Sequence, residues 1–169
     1  MAKTDSFFIR AKIEGVNLFT QTSIDLGAYV DALGKSVLRI HNVQVMYNYG
    51  GNFSNPTLTN PNTEAATRWQ LTTQSQTQMR DATDKSLISS GSFLASNGAV
   101  GSGLIFATEE MDINLQDWTN GYLVGVEQIY LGGTSGSNFD NNPDICVVLE
   151  CTVETLSQSA AMALALSQQ

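Results

Sequence analysis

The stretch Ser36-Val37-Leu38-Arg39-Ile40-His41-Asn42-Val43-Gln44-Val45-Met46-Tyr47 decides the fold. In an extended chain, side chains alternate between two faces. Leu38 and Ile40 share one phase, and Val43, Val45 and Tyr47 share the other. The apolar phase therefore switches at His41-Asn42. Either a β-bulge slips the pattern by one residue and bends the strand, or the strand leaves one sheet and continues in a second sheet packed on it. Both readings require a curved, two-layered, all-β body.

Upstream, Ser6 to Glu14 alternates cleanly, with Phe7, Ile9, Ala11 and Ile13 on one face and Phe8, Arg10, Lys12 and Glu14 on the other. This is the pattern of a half-buried strand, and Gly15 ends it. Asn17 to Ile24 reads as a weaker strand. Leu26, Tyr29, Val30 and Leu33 then fall at i, i+3, i+4 and i+7. That spacing predicts a short helix over 25–33, with Asp25 as N-cap and Gly34 past its end.

Downstream, Gly50-Gly51, Asn55-Pro56 and Asn60-Pro61 make Tyr49–Thr63 a loop. Arg68 to Met79 reads as a strand with Trp69, Leu71 and Met79 on one face. Its other face carries Gln70, Thr72, Gln74 and Gln76, a polar ladder that is either solvated or hydrogen-bonded to a neighbouring subunit. Ser86–Ala95, Gly103–Ala107 and Gly121–Leu131 follow as strands, the last with its own phase slip between Val126 and Ile129. Glu109–Asn120 is acidic and reads as a single helical turn around Trp118. Gly132–Asn142 reads as a Gly/Ser/Asn loop, and Asp144–Glu154 as a strand with Ile145, Val147, Leu149, Cys151 and Val153 on one face. Leu156, Ala160, Ala163 and Leu164 form a small helical stripe in an Ala/Ser/Gln-rich tail. About eight short strands with turn signals between them predict an all-β single jelly-roll sandwich over 1–155, one inserted helix, and a C-terminal helical tail over 156–169. No repeat of 20–50 residues suggests a solenoid or propeller.

The chain has 169 residues, is 14% charged and carries a formal charge of −8. All eight Lys and Arg lie at or before Lys85, so residues 86–169 are a source of negative field. Direct nucleic-acid binding is not expected without a basic arm. The N-terminal segment has no apolar run that reads as a signal peptide. Nothing approaches the roughly 20 apolar residues of a membrane span, so no membrane insertion is expected.

No catalytic constellation stands out, and an enzyme is not expected. His41 is the single histidine. It sits at the phase switch, where a bulge residue hydrogen-bonded to backbone is the plain reading, and not at the head of a triad. One His and two Cys cannot close a tetrahedral zinc site. Cys146 and Cys151 would lie about 16 Å apart on one strand, beyond the roughly 7 Å a disulfide spans. Asp140, Asn142 and Asp144 imitate the first ligands of a calcium loop, but Ile145 stands where the glycine belongs and Cys151 where the terminal Glu belongs. An irregular structural Ca²⁺ site, with Glu109, Glu110 or Asp112 as further ligands, is the most these residues support, and no other cofactor is expected. Tyr47, Tyr49, Phe53 and Trp69 are candidates for a sugar-stacking surface, or for core.

The order of the Ser6–Glu14 strand, Leu26–Leu33 helix, Val37–Tyr47 strand, polar strands and Ile145–Val153 strand with a tail resembles the single jelly-roll major capsid proteins of tailless icosahedral viruses of bacteria and archaea. The resemblance implies a virion shell protein, assembled in the host cytoplasm, that forms homo-oligomers, with or without a second shell protein. The lopsided charge favours head-to-tail rings over two-fold dimers. The tail is near or below the length at which isolated helices hold, so it should order against a neighbour. The interface candidates are thus Leu156, Ala160, Ala163 and Leu164, with Gln70, Thr72, Gln74 and Gln76. The rivals are a carbohydrate- or receptor-binding β-sandwich using Trp69, Trp118 or the 132–142 loop, and a non-viral filament or shell subunit.

Overall fold

The computed structural model describes residues 4–31, 34–49, 56–58, 60–99 and 104–169. Among them, nine strands run in chain order: β1 (Phe7–Ile13), β2 (Thr20–Asp25), β3 (Ser36–Tyr49), β4 (Glu64–Thr72), β5 (Leu87–Asn97), β6 (Leu104–Ile113), β7 (Tyr122–Val124), β8 (Gln128–Ser135) and β9 (Pro143–Thr155). A 3-10 turn at Leu115–Asp117 precedes β7, and one helix, α1 (Gln158–Ser167), ends the chain. The strands form two antiparallel sheets, ordered β1-β9-β3-β7 and β2-β8-β4-β5-β6. Every connection changes sheet except those along β4-β5-β6. With β6 set aside as an added edge strand, this interleaving is that of a jelly roll.

β3 is the central element, and its phase switch is a bulge. Its register against β9 shifts between Ile40, opposite Cys151, and Asn42, opposite Glu150, leaving His41 unmatched. Leu38 and Ile40 before the shift, and Val43 and Tyr47 after it, are all buried. An unbulged strand would turn Val43 and Tyr47 outward and forfeit about 2 kcal/mol for each. β3 stays in one sheet throughout, so the alternative of a sheet change does not apply there. It applies instead to the slip in 121–131. Tyr122–Val124 pairs with β3, while Gln128–Ser135 pairs with β2 and β4 in the other sheet. The single strand expected over Gly121–Leu131 is therefore two, and the first four residues of the expected 132–142 loop complete β8.

Three further expectations are corrected. The helix over 25–33 is one turn: the Val30 N–H donates to Leu26 O at 2.9 Å, and Asp25 is the last residue of β2. Leu26 and Val30 are buried and Tyr29 stacks on Phe7, so the apolar spacing is that of a turn pressed on the core. Leu33 lies outside the described residues. The strand expected over 68–79 instead spans 64–72. Residues 73–78 contain no apolar side chain, so burial gives them no reason to stay in the sheet. The acidic segment 109–113 continues β6, with Glu109 and Glu110 paired to Phe93 and Ser92.

The tail orders against its own sandwich. Ser157 caps α1, accepting from the Ala160 N–H at 3.3 Å. Ala161 and Ala165 are buried, and Leu164 packs over Gly125, where a Cβ would lie 3.0 Å from Leu164 Cγ. Gln168 locks the end. Its Oε1 accepts from the Gly125 N–H at 2.8 Å, its Nε2 donates to Leu123 O at 2.7 Å, and its main-chain O accepts from Thr73 Oγ1 at 3.0 Å. Gln168→Ala removes these side-chain partners from buried backbone groups and should cost about 2 kcal/mol. Urea unfolding would measure this, with hydrogen exchange in α1 rising in step; an unchanged midpoint would show that the lock is idle.

Candidate functional site

No two of the expected site groups converge on a reaction centre. His41 sits at the bulge, its Nε2 2.9 Å from Thr152 Oγ1 on β9. Two residues earlier on β3, the Arg39 guanidinium grips Glu154 with two bonds, Nε–Oε1 at 2.7 Å and Nη2–Oε2 at 2.8 Å, and also donates to Asn120 O. This cluster ties β3, β9 and the turn into β7 together.

The calcium candidates diverge. Asp144 is buried, accepts from the Gly15 N–H at 2.8 Å and pairs with Lys12 at 3.1 Å. Asp140 accepts from Thr57 Oγ1 at 2.6 Å, and Asn142 is exposed. Among the described residues no three His, Cys, Asp or Glu side chains gather as metal ligands.

Both cysteines are free thiols. Cys151 is in the core, and burial pushes its thiol up to about 12, with Glu150 adding to the shift. Burial also raises the half-buried Cys146, against the pull of Lys12. From an ordinary thiol to about 12, the thiolate population at neutral pH falls on the order of a thousandfold. A disulfide reagent at pH 8 should therefore label Cys151 at a measurable rate only in urea. Equal rates in native and unfolded protein would show that the strand opens freely.

The polar ladder is real but covered. Gln70 and Thr72 are fully buried, because the 73–86 connection folds back over the outer face of the five-stranded sheet. Gln70 Nε2 donates to Gln78 O at 3.1 Å and its Oε1 accepts from the Arg80 N–H. Gln76 accepts from and donates to this same connection, and Gln74 donates to Gln168 O at 3.3 Å. Gln70 and Thr72 therefore cannot touch another subunit, and Gln74 and Gln76 are half-buried in intramolecular bonds. In the tail, Leu156 and Leu164 are half-buried, while Ala160 and Ala163 face solvent. Tyr47 and Trp69 are buried and form no sugar platform; Phe53 lies outside the described residues. Trp118 is exposed, tilted against Tyr122 with ring centroids 6.3 Å apart.

The surface instead offers two apolar features that sequence periodicity did not single out. A groove of about 450 Å³ on the outer face of the five-stranded sheet is lined by Ala66, Leu94 and Phe106, with Glu64, Ser96 and Gly136 around it. Leu94 and Phe106 are 38% and 51% exposed. The second feature is the outer side of α1, where Met162 and Leu166 are 42% and 69% exposed. The residues of both are apolar in the sequence, but no face was read for the 86–95 and 103–107 strands, and Met162 and Leu166 lie outside the stripe read in the tail. Most other exposed aromatics have neighbours: Phe8 lies under Arg10, and Tyr29 lies on Phe7. A smaller groove of about 380 Å³ lies between Val43–Tyr47 of β3 and Glu109–Met111 of β6.

No family model matches the chain, and no curated protein matches it. Among solved structures, a chain of Desmodium yellow mottle tymovirus is similar over 90% of this chain and 87% of that one, with 11% identity and a TM-score of 0.40.

Proposed function

We propose that the chain is a self-assembling shell subunit of the single jelly-roll type, acting in the virion of a tailless icosahedral virus and assembled in the host cytoplasm. The observation that carries this reading is the placement of two exposed apolar surfaces at opposite ends of one sandwich. The Leu94–Phe106 groove adjoins the start of β4, and α1 adjoins the chain just past the end of β4, where Thr73 holds Gln168. A protein with one ligand needs one such surface; a subunit that meets several copies of itself needs at least two. The jelly-roll order supports it, since that fold closes both sheets against each other and leaves loops and faces free for neighbours. The interface candidates left accessible are Ala160 and Ala163, with the exposed parts of Leu156, Leu164, Gln74 and Gln76.

Electron microscopy of the purified protein, with its solution mass taken on the same sample, tests the reading. Rings, capsomer-sized oligomers or closed particles are expected. A strict monomer over a range of salt and protein concentration, with or without a second shell protein, would discard it. Trp118, 45% exposed, favours a second reading as a carbohydrate-binding sandwich; saturable glycan binding lost in Trp118→Ala would establish that one instead.

A further inference from the structure

We infer that α1 of one copy docks its Met162–Leu166 ridge into the Leu94–Phe106 groove of a second copy, a head-to-tail contact. The inference rests on the self-assembly reading above and names the surfaces that reading would use.

The chain carries a formal charge of −8, so two copies approach against a net repulsion that is smallest where uncharged surfaces meet. The last charged side chain is Glu154, and α1 has neither an acid in its first turn nor a base in its last. The groove is the complementary case: Ala66, Leu94, Phe106, Ser96 and Gly136 are uncharged, and Glu64 is the one charged residue among its described lining. Met162 and Leu166 are four residues apart on a helix and so project side by side from one face. Leu94 and Phe106 come from neighbouring strands and open onto one groove.

The two surfaces cannot meet within one protomer. Ala66 lines the groove and Thr72 is next to the residue that holds the tail, and those two positions are about 20 Å apart along the strand. The ridge cannot fold away either. Ala161, Ala165 and Gln168 fix one face of α1 on the sandwich, and Met162 and Leu166, each about 100° round the helix from the buried alanine before it, are left exposed on its flank. A helix held rigidly by one face and apolar on its flank loses little freedom on docking. Because ridge and groove are different patches, the contact is heterologous and propagates to a ring or shell.

The test is a mixing experiment read by solution mass. Leu166→Glu keeps the groove and spoils the ridge; Phe106→Glu keeps the ridge and spoils the groove. Each alone should be monomeric where the parent protein assembles, with the dissociation constant raised about 100-fold. Mixed in equal amounts, they should form a one-to-one dimer and nothing larger, since one sound ridge then meets one sound groove. Leu166→Gln and Phe106→Ser should give the same pattern, which separates lost fit from added charge, and thermal unfolding checks that every variant is folded. Raising the salt should strengthen the contact by screening the net repulsion. The inference is overturned if Phe106→Glu assembles like the parent, if the mixture stays monomeric, or if salt dissolves the contact. In those cases, a parent that still assembles leaves the shell-subunit reading standing. A monomeric parent overturns both.

Discussion

Gly121→Ala should lower the unfolding free energy by about 3 kcal/mol or more, the larger of two very different glycine effects in this chain. Gly121 has φ of +59°, and a Cβ there would lie 2.2 Å from Ile40 O and 3.1 Å from His41 Cα. The left-handed conformation accounts for about 1–2 kcal/mol of the loss. The remainder comes from the collision, because the atom struck is a main-chain carbonyl beside the bulge and no side-chain rotation can move it away. Gly15 supplies the internal control. It also has φ of +59°, but its nearest neighbour to an added Cβ is Asn142 Cβ at 4.0 Å. Gly15→Ala should therefore cost only about 1 kcal/mol. Asn tolerates the left-handed region, so Gly15→Asn should be milder still, whereas Gly121→Asn should be as damaging as Gly121→Ala. Urea unfolding of the four variants measures this. Equal losses at the two sites would mean that β7 and the bulge yield freely to each other.

The contrast between the two phase slips shows how far periodicity reaches. Both the 36–47 and the 121–131 stretches reverse their apolar phase, and the pattern alone allows a bulge or a change of sheet for either. At His41 the residues on both sides stay paired to β9, so one extra residue suffices. At 125–127 the chain leaves β3 for β2 and β4, and Gly125 there lies against α1, a contact made by residues some forty positions away. Local alternation was enough for β1, β9 and each half of β3, whose faces are set by core against solvent. It failed for Arg68–Met79, where Gln and Thr alternate as they would on a sheet face. The buried state of Gln70 depends on the 73–86 connection returning over it, and nothing in the spacing of Gln70 reports that return. It also failed for the tail. The small residues Ala161 and Ala165 pack on the body because they permit close approach, and Gln168, polar and near the end of the chain, is buried because five groups around it complete its hydrogen bonds. The same docking turned Met162 and Leu166 outward, so the surface assigned to assembly became visible only once the packed face of α1 was known.

Arg39→Ala should cost about 3–5 kcal/mol, with Glu154 as the reason. The Arg39 and Glu154 side chains are 15% and 8% exposed, and their two-bonded contact spans β3 and β9. Removing the guanidinium leaves a carboxylate in a nearly dry position and also withdraws a donor from Asn120 O in the turn before Gly121. Replacing both partners with apolar residues of similar volume, Arg39→Met with Glu154→Leu, should by contrast come within about 1 kcal/mol of the parent, since neither charge is then buried alone. A double-mutant cycle in urea should give a coupling of at least about 2 kcal/mol; a cost below 1 kcal/mol for Arg39→Ala would class the pair with solvent-screened surface bridges. The pair's value then lies in register more than in stability. It sits two residues before the bulge, and a one-residue slip of β3 against β9 would carry Arg39 to the core face, where no carboxylate waits and the cost of a buried cation is prohibitive. The apolar double variant loses that penalty. It should keep its unfolding midpoint yet show doubled amide resonances along 36–41, the mark of two strand registers, and a single set of resonances would show that the bulge holds register without the ion pair.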